Sequence, residues 1–148
     1  MPHYFEFDRV HQILRARIEG VIGDEEVIGF KKDMTNLFSE LNPKACIVDF
    51  SETTKYQISS EQIRAIGRTS PALPNVSVPV VVVAPAPHIF GATRMFQMTA
   101  EEKRPWIHVV RSVDEAYRML KVDSLNFEPL PEDAEGRARI SKTPDRAG

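Results

Sequence analysis

Two hydrophobic periods divide the chain. Near the N-terminus, Phe5 and Phe7 alternate with Tyr4, Glu6 and Asp8, and Leu14, Ala16 and Ile18 alternate with Arg15, Arg17 and Glu19. A period of two marks strands with one wet face. The short link Arg9-Val10-His11 predicts an antiparallel hairpin, and Gly20 and Gly23 end this region. From Asp24, read as an N-cap, Val27, Phe30, Met34, Leu37, Phe38 and Leu41 recur at helical spacing until Asn42-Pro43 stops the run. Ala45 to Phe50 is then almost wholly apolar, which predicts a strand covered on both faces and therefore central and parallel.

The alternation of strands and helices continues. A polar loop from Ser51 to Ile58 leads to a helix opened by Ser59 and Gln62 at capping-box spacing, with Ile63 and Ile66 inward and Pro71 and Pro74 closing it. Val78 to Ala84 is a second buried strand, with Pro79 tolerable only near its start. Pro85 and Pro87 precede a third helix carrying Ile89, Phe90, Met95 and Phe96. Trp106 to Arg111 reads as the last strand. Ser112 and Glu115 open a last helix with Val113, Ala116, Tyr117 and Leu120. The order β-β-α-β-α-β-α-β-α predicts an α/β fold: a single mixed, mostly parallel sheet of about five strands with four helices. Residues 1–122 are expected to form one domain. Residues 123–148, with Pro129, Pro131, Pro144 and many charges, are expected to be a flexible tail, although Leu125, Phe127 and Leu130 could dock on the body or on a neighbour.

Composition narrows the function classes. A chain of 148 residues, 42% hydrophobic, can bury a core without disulfides or metals, and its net charge of −2 gives no footing for nucleic acid. Met1 to Val10 lacks an apolar signal core, and the longest apolar run, around Val78 to Ala86, is interrupted by Pro79 and Pro85. No membrane insertion is expected, and the cytoplasm is the expected compartment. Cys46, the one cysteine, lies on a predicted buried strand and reads as core packing. His3, His11, His88 and His108 show no metal-ligand spacing. GxSxG, P-loop and GxGxxG motifs are all absent, so neither a cofactor nor catalysis is expected. Glu101-Glu102 reads as a solvated helix end.

The candidate chemistry gathers where ligands collect in open α/β sheets, beyond the carboxyl ends of parallel strands. One end carries Asp49, Ser51, Thr53, Thr54 and Tyr56, then Ser59 and Ser60 at a helix start; the other carries His88, Gly91 and Arg94. Helix starts favour anions, and Arg94 offers a guanidinium fork for phosphate or carboxylate. Plain structural roles serve equally well: Ser59 as an N-cap, Thr53 and Thr54 as loop residues, Asp49 on nearby N–H groups, Arg94 paired with Asp49 or a helix end. An aspartate ending a central strand also suits response-regulator receivers. Those need an acidic pair after the first strand and a lysine after the last, where this chain has Gly20 to Gly23 and Arg111-Ser112.

Asp49-Phe50-Ser51, Thr53-Thr54 and Ile58-Ser59-Ser60 resemble the STAS fold of anti-sigma-factor antagonists, whose strand ends Asp-Leu-Ser and whose next helix opens Asp-Ser-Ser-Gly. The resemblance implies Ser60 as a phosphorylation candidate. Ile58 and Glu61 replace the motif's aspartate and glycine, and Glu61 would repel an added phosphate. Residues 3–121 as a whole resemble the SpoIIAA-like group of bacterial proteins. The opening hairpin, Glu19-Gly20, Asp49-Phe50-Ser51, the stretch from Phe90 to Phe96 and the final Ser112-Val113-Asp114-Glu115-Ala116 helix carry that likeness. It implies a non-enzymatic regulatory module that meets a protein partner, or a second copy of itself, through the Ser51–Ser60 loop and the Gly91–Arg94 turn. The alternative is a binder of a small amphipathic or anionic ligand, with Phe90, Met95, Phe96 and Trp106 lining a pocket and Arg94 at its polar end. Ordinary core packing explains those apolar side chains as well.

Overall fold

The computed structural model describes residues 3–68, 78–100, 107–123 and 126–130. Pro71, Pro74, Glu101, Glu102, Trp106, Leu125 and residues 131–148 lie outside the described residues, as do the side chains of Ile66 and Phe96.

β1 (His3–Asp8) and β2 (Ile13–Ile18) form the expected hairpin, from His3 opposite Ile18 to Asp8 opposite Ile13. The buried Asp8 carboxylate closes its turn by accepting the His11 N–H at 2.8 Å. β3 (Gly20–Gly23) follows at once, turned out of the line of β2 by Gly20, whose φ of +75° suits glycine. α1 (Asp24–Leu41) comes next, and its cap corrects the sequence reading. Gly23 is the N-cap, with its N–H donating to Glu26 Oε1 at 2.8 Å. Asp24 is already helical, which frees its carboxylate for another segment. Asn42, left-handed at φ 50°, ends the helix where Asn42-Pro43 was expected to end it.

β4 (Ala45–Asp49), β5 (Thr53–Gln57), α2 (Ser60–Arg68), β6 (Val80–Val83), α3 (Pro87–Ala100), β7 (Ile107–Val110), α4 (Val113–Leu120) and the two-residue β8 (Glu128–Pro129) complete the chain. Pro87 is the first helical residue of α3, a position where its missing N–H costs nothing. The Ser112 hydroxyl accepts the Glu115 N–H at 3.1 Å and caps α4. The reciprocal bond of a full capping box is displaced by one residue, because Glu115 Oε1 accepts the Arg111 N–H instead.

Among the described residues, the main sheet has six strands in the order β7-β6-β4-β2-β1-β8. β2, β4, β6 and β7 are parallel, and β1 runs against β2. This is the predicted mixed, mostly parallel sheet. β8 lies beyond the boundary expected at residue 122: Glu128 and Pro129 pair with Phe7 and Glu6, so packed structure continues along β1. β3 and β5 form a separate two-stranded parallel sheet that the sequence reading missed. Its inward side chains are Ile22 and Tyr56, while Thr54, Lys55 and Gln57 are exposed. So few apolar positions among polar ones look like a loop.

The apolar runs explain the layering. All of β4 and β6 is buried. Cys46, Val48, Val80 and Val82 pack on one face with Met34, Leu37 and Phe38 of α1 and Ile89 of α3. Ile47, Val81, Val83 and Val110 pack on the other face with Ala116 and its neighbours on α4. α2 lies against α3. Complete burial of side chains such as Ile47 and Val81 contributes about 1.5–3 kcal/mol each, which makes these strands the anchor of the fold. Burial also pushes the Cys46 thiol up, well away from a reactive thiolate. None of the described helices is long and apolar enough to cross a membrane.

Candidate functional site

The predicted site residues fall into two groups. The first sits where β2 and β4 leave the main sheet for the small one. Asp49 ends β4 buried, and its Oδ1 accepts both the N–H of Ser51 at 2.9 Å and its hydroxyl at 2.5 Å. An aspartate bonding the backbone two residues ahead shapes a turn, so Asp49 takes the structural role weighed for it. The chain reverses and Thr53 N–H donates to Phe50 O at 3.1 Å. The Thr53 hydroxyl donates to Ile18 O at 2.8 Å, and Gly20 N–H to Glu52 O at 3.1 Å. Thr53 is therefore a stitch between the two crossing segments. Tyr56 packs its ring edge-on to Phe50, with centroids 5.8 Å apart, and burial pushes its phenol up to about 12.

This ledge delivers the serine pair. The Ser59 hydroxyl accepts the Gln62 N–H at 3.1 Å, which is the cap read from sequence. The same hydroxyl donates to Asp24 Oδ2 at 3.0 Å, and the Ser59 N–H donates to Asp24 Oδ1 at 2.8 Å. Asp24 thus clamps the start of α2 to the start of α1. No local signal marks this contact, since residues 24 and 59 need the β3–β5 pairing to bring them together. With the Ser59 hydroxyl engaged twice, Ser60 stands exposed in the first turn of α2.

The second group is a helical stripe, which corrects the expected turn. Gly91 and Arg94 lie within α3, inside the stretch from Ile89 to Phe96 that the apolar spacing already marks as helix. His88, Gly91 and Arg94, spaced three apart, are all exposed on it, as are Met95 and Met98. Arg94 does not pair with Asp49. Its guanidinium donates to Gln97 Oε1 at 2.6 Å, and the Gln97 amide donates to Ile107 O at 2.8 Å, tying α3 to β7. The cation beside Phe90 is Arg111, 4.3 Å from the ring centroid.

The packing of α2 on α3 puts the exposed serine and the stripe on adjoining helices. Asp49, His88 and Arg94, the groups from which a catalytic reading would start, have separate partners or face solvent. Among the described residues, no group of three His, Cys, Asp or Glu side chains could hold a metal ion. What the arrangement offers is a surface: a pinned loop, an exposed serine and a helical face that bears one arginine.

No protein-family model and no curated protein matches the chain. Solved structures do. The chain is similar to the anti-sigma factor antagonist SpoIIAA in its unphosphorylated form, with a TM-score of 0.57, 12% sequence identity, and 82% of this chain and 99% of that chain covered. It is also similar to the Bacillus cell fate determinant SpoIIAA in the phosphorylated form, with a TM-score of 0.52, 17% identity, and 80% and 98% covered. The fold is thus that of SpoIIAA, a STAS fold, as the residues from Asp49 to Ser60 had implied.

Proposed function

We propose that this chain is a non-enzymatic regulatory module that recognises a protein partner through the Ser51–Ser60 ledge and the His88–Gly91–Arg94 face of α3. The observation that carries the reading is the division of labour in the serine pair. Ser59 is consumed in holding α2 to α1, which leaves Ser60 presented to solvent beside a helix that bears an exposed arginine. The likeness to a protein solved in unphosphorylated and phosphorylated forms supports Ser60 as the phosphorylation candidate. A phosphate there would add charge at a helix start, favoured by the free N–H groups and opposed by Glu61.

The test is capture from a native lysate on the immobilised full chain. A partner is expected in stoichiometric amount, with at least a tenfold loss of capture on Arg94→Glu and on Ser60→Asp. Size-exclusion of the purified chain separates self-association from a foreign partner. Capture unchanged by both substitutions would remove this surface from the function.

A further inference from the structure

Away from that surface, the β1 edge of the main sheet carries a second feature. Residues 126–130 lie along it as a strap. Asn126 N–H donates to Asp8 Oδ2 at 2.6 Å, Glu128 and Pro129 pair with Phe7 and Glu6, and Leu130 N–H donates to Phe5 O at 2.9 Å. The side chains alternate in chemistry. The Phe127 ring lies under the Arg15 guanidinium, 4.2 Å from its centroid, and packs against the α4 side of the core. Glu128 meets Arg9 at 3.1 Å, and Leu130 packs against the opposite core.

The attachment is specific but slight. The ladder spans two of the six residues of β1, and Pro129 has no N–H to give it. The Arg9–Glu128 pair is exposed, with 47% and 61% of the two side chains open to solvent, so it contributes little. A segment held this way belongs to the part of a fold that opens locally. Opening it would bare the backbone groups of Phe5 and Phe7 that now serve β8, and an uncovered strand edge is a template for another strand.

We infer that the β1 edge is a docking lane for an extended segment of a partner protein, and that residues 126–130 occupy it in competition. The strap defines the chemistry of the occupant: an aromatic residue to stack on Arg15, an acidic residue next to it for Arg9, and an aliphatic residue three places after the aromatic. A tethered strap competes at an effective concentration on the order of millimolar. A partner segment would win by pairing with more of β1 than the two residues that β8 uses.

A fluorescent peptide of residues 123–131 tests this against three full chains by anisotropy: wild type, Phe127→Ala/Leu130→Ser, and Glu128→Arg. The last leaves the apolar contacts intact, so one variant remains folded if the double substitution is not tolerated. The Phe127→Ala/Leu130→Ser chain should bind the peptide at least tenfold more tightly than wild type, and Glu128→Arg, which sets two cations against each other at an exposed pair, by a smaller factor of about two to five. β1 amides should become protected from exchange, and a peptide with the same Phe→Ala and Leu→Ser changes should not bind. Failure of folded variants to bind overturns the proposal, as does equal affinity for all three chains. A concentration-dependent dimer that binds no peptide also overturns it, since the lane would then serve a second copy.

Discussion

Asp8 joins two parts of the chain that lie far apart in sequence, and removing its carboxylate should loosen both. Its Oδ1 accepts the His11 N–H at 2.8 Å with the His11 ring at 3.3 Å, and its Oδ2 accepts the Asn126 N–H at 2.6 Å. Burial pushes this carboxyl up, but the His11 and Asn126 N–H groups together with the His11 ring outweigh it and hold it below its ordinary value of 3.8. Asp8→Ala leaves two backbone donors without their acceptor. Hydrogen bonds to a charged group contribute about 1.5–3 kcal/mol each, and relief from desolvating the carboxylate offsets part of their sum, so the expected net loss is about 2–3 kcal/mol. For a chain of this length that is a fall in Tm of roughly 4–12 °C. Because the folded-state pKa lies below the unfolded value, this stability is present above the unfolded value and is lost as pH falls through the folded one. Urea denaturation at near-neutral and acid pH measures both effects, and Asp8→Ala should be the less acid-sensitive chain. Amide exchange localises them: Leu130 should exchange faster in the variant by a larger factor than Val81. A stability change under about 0.5 kcal/mol, as for an ordinary surface substitution, would refute the reasoning. So would equal acceleration at both amides.

Three further outcomes follow from the geometry. Asp24→Ala removes both bonds to Ser59 and should cost about 1–2 kcal/mol in urea denaturation, with faster exchange at Gln62 than at Val81. The Tyr56 phenol, raised from 10.0 to about 12, favours the protonated form in the fold, so its stabilising contribution is intact below the unfolded value and is lost as pH rises through the folded one. Tyr56→Phe should flatten that alkaline decline in chemical denaturation curves. Cys46 should be inert to a thiol reagent in the native chain and react fully once the chain is denatured, because the thiol is buried and its pKa raised.

The parts of this fold legible in the sequence are those where burial leaves a long apolar signature. Ala45 to Asp49 and Val80 to Val83 are covered on both faces, and no other element type explains such runs as simply. Thr53 to Gln57 gave no such signal, because only Tyr56 turns far inward and its ladder partner is a four-residue strand. The candidate residues were named from their types and spacing, not from the bonds they make. Asp49, Ser59 and Arg94 were identified, yet Asp49 shapes its own turn, Ser59 belongs to Asp24, and Arg94 turns to Gln97. Asp49 to Ser51 and Arg94 to Gln97 are local, two and three residues apart, so only the contact of Ser59 with Asp24 waits on the tertiary fold. Residues 126–130 were hidden among charges and prolines, with Leu125, Phe127 and Leu130 as the hints of docking; Phe127 and Leu130 pack on the core, and Leu125 lies outside the described residues.

The positive φ of Gly20 has a consequence for how this molecule could diverge. A Cβ built at residue 20 meets nothing within 4 Å, so the position is restricted by torsion and not by space. Asparagine, which tolerates that torsion, could take the place with its side chain free in solvent, whereas a β-branched residue would pay about 1–2 kcal/mol or rotate the backbone. That rotation would carry β3 with it, and through β5 the serines that follow. The aim of the exposed Ser60 is thus set at a pivot remote in sequence from the loop that bears it, and drift there would re-aim that serine without changing any residue of the loop.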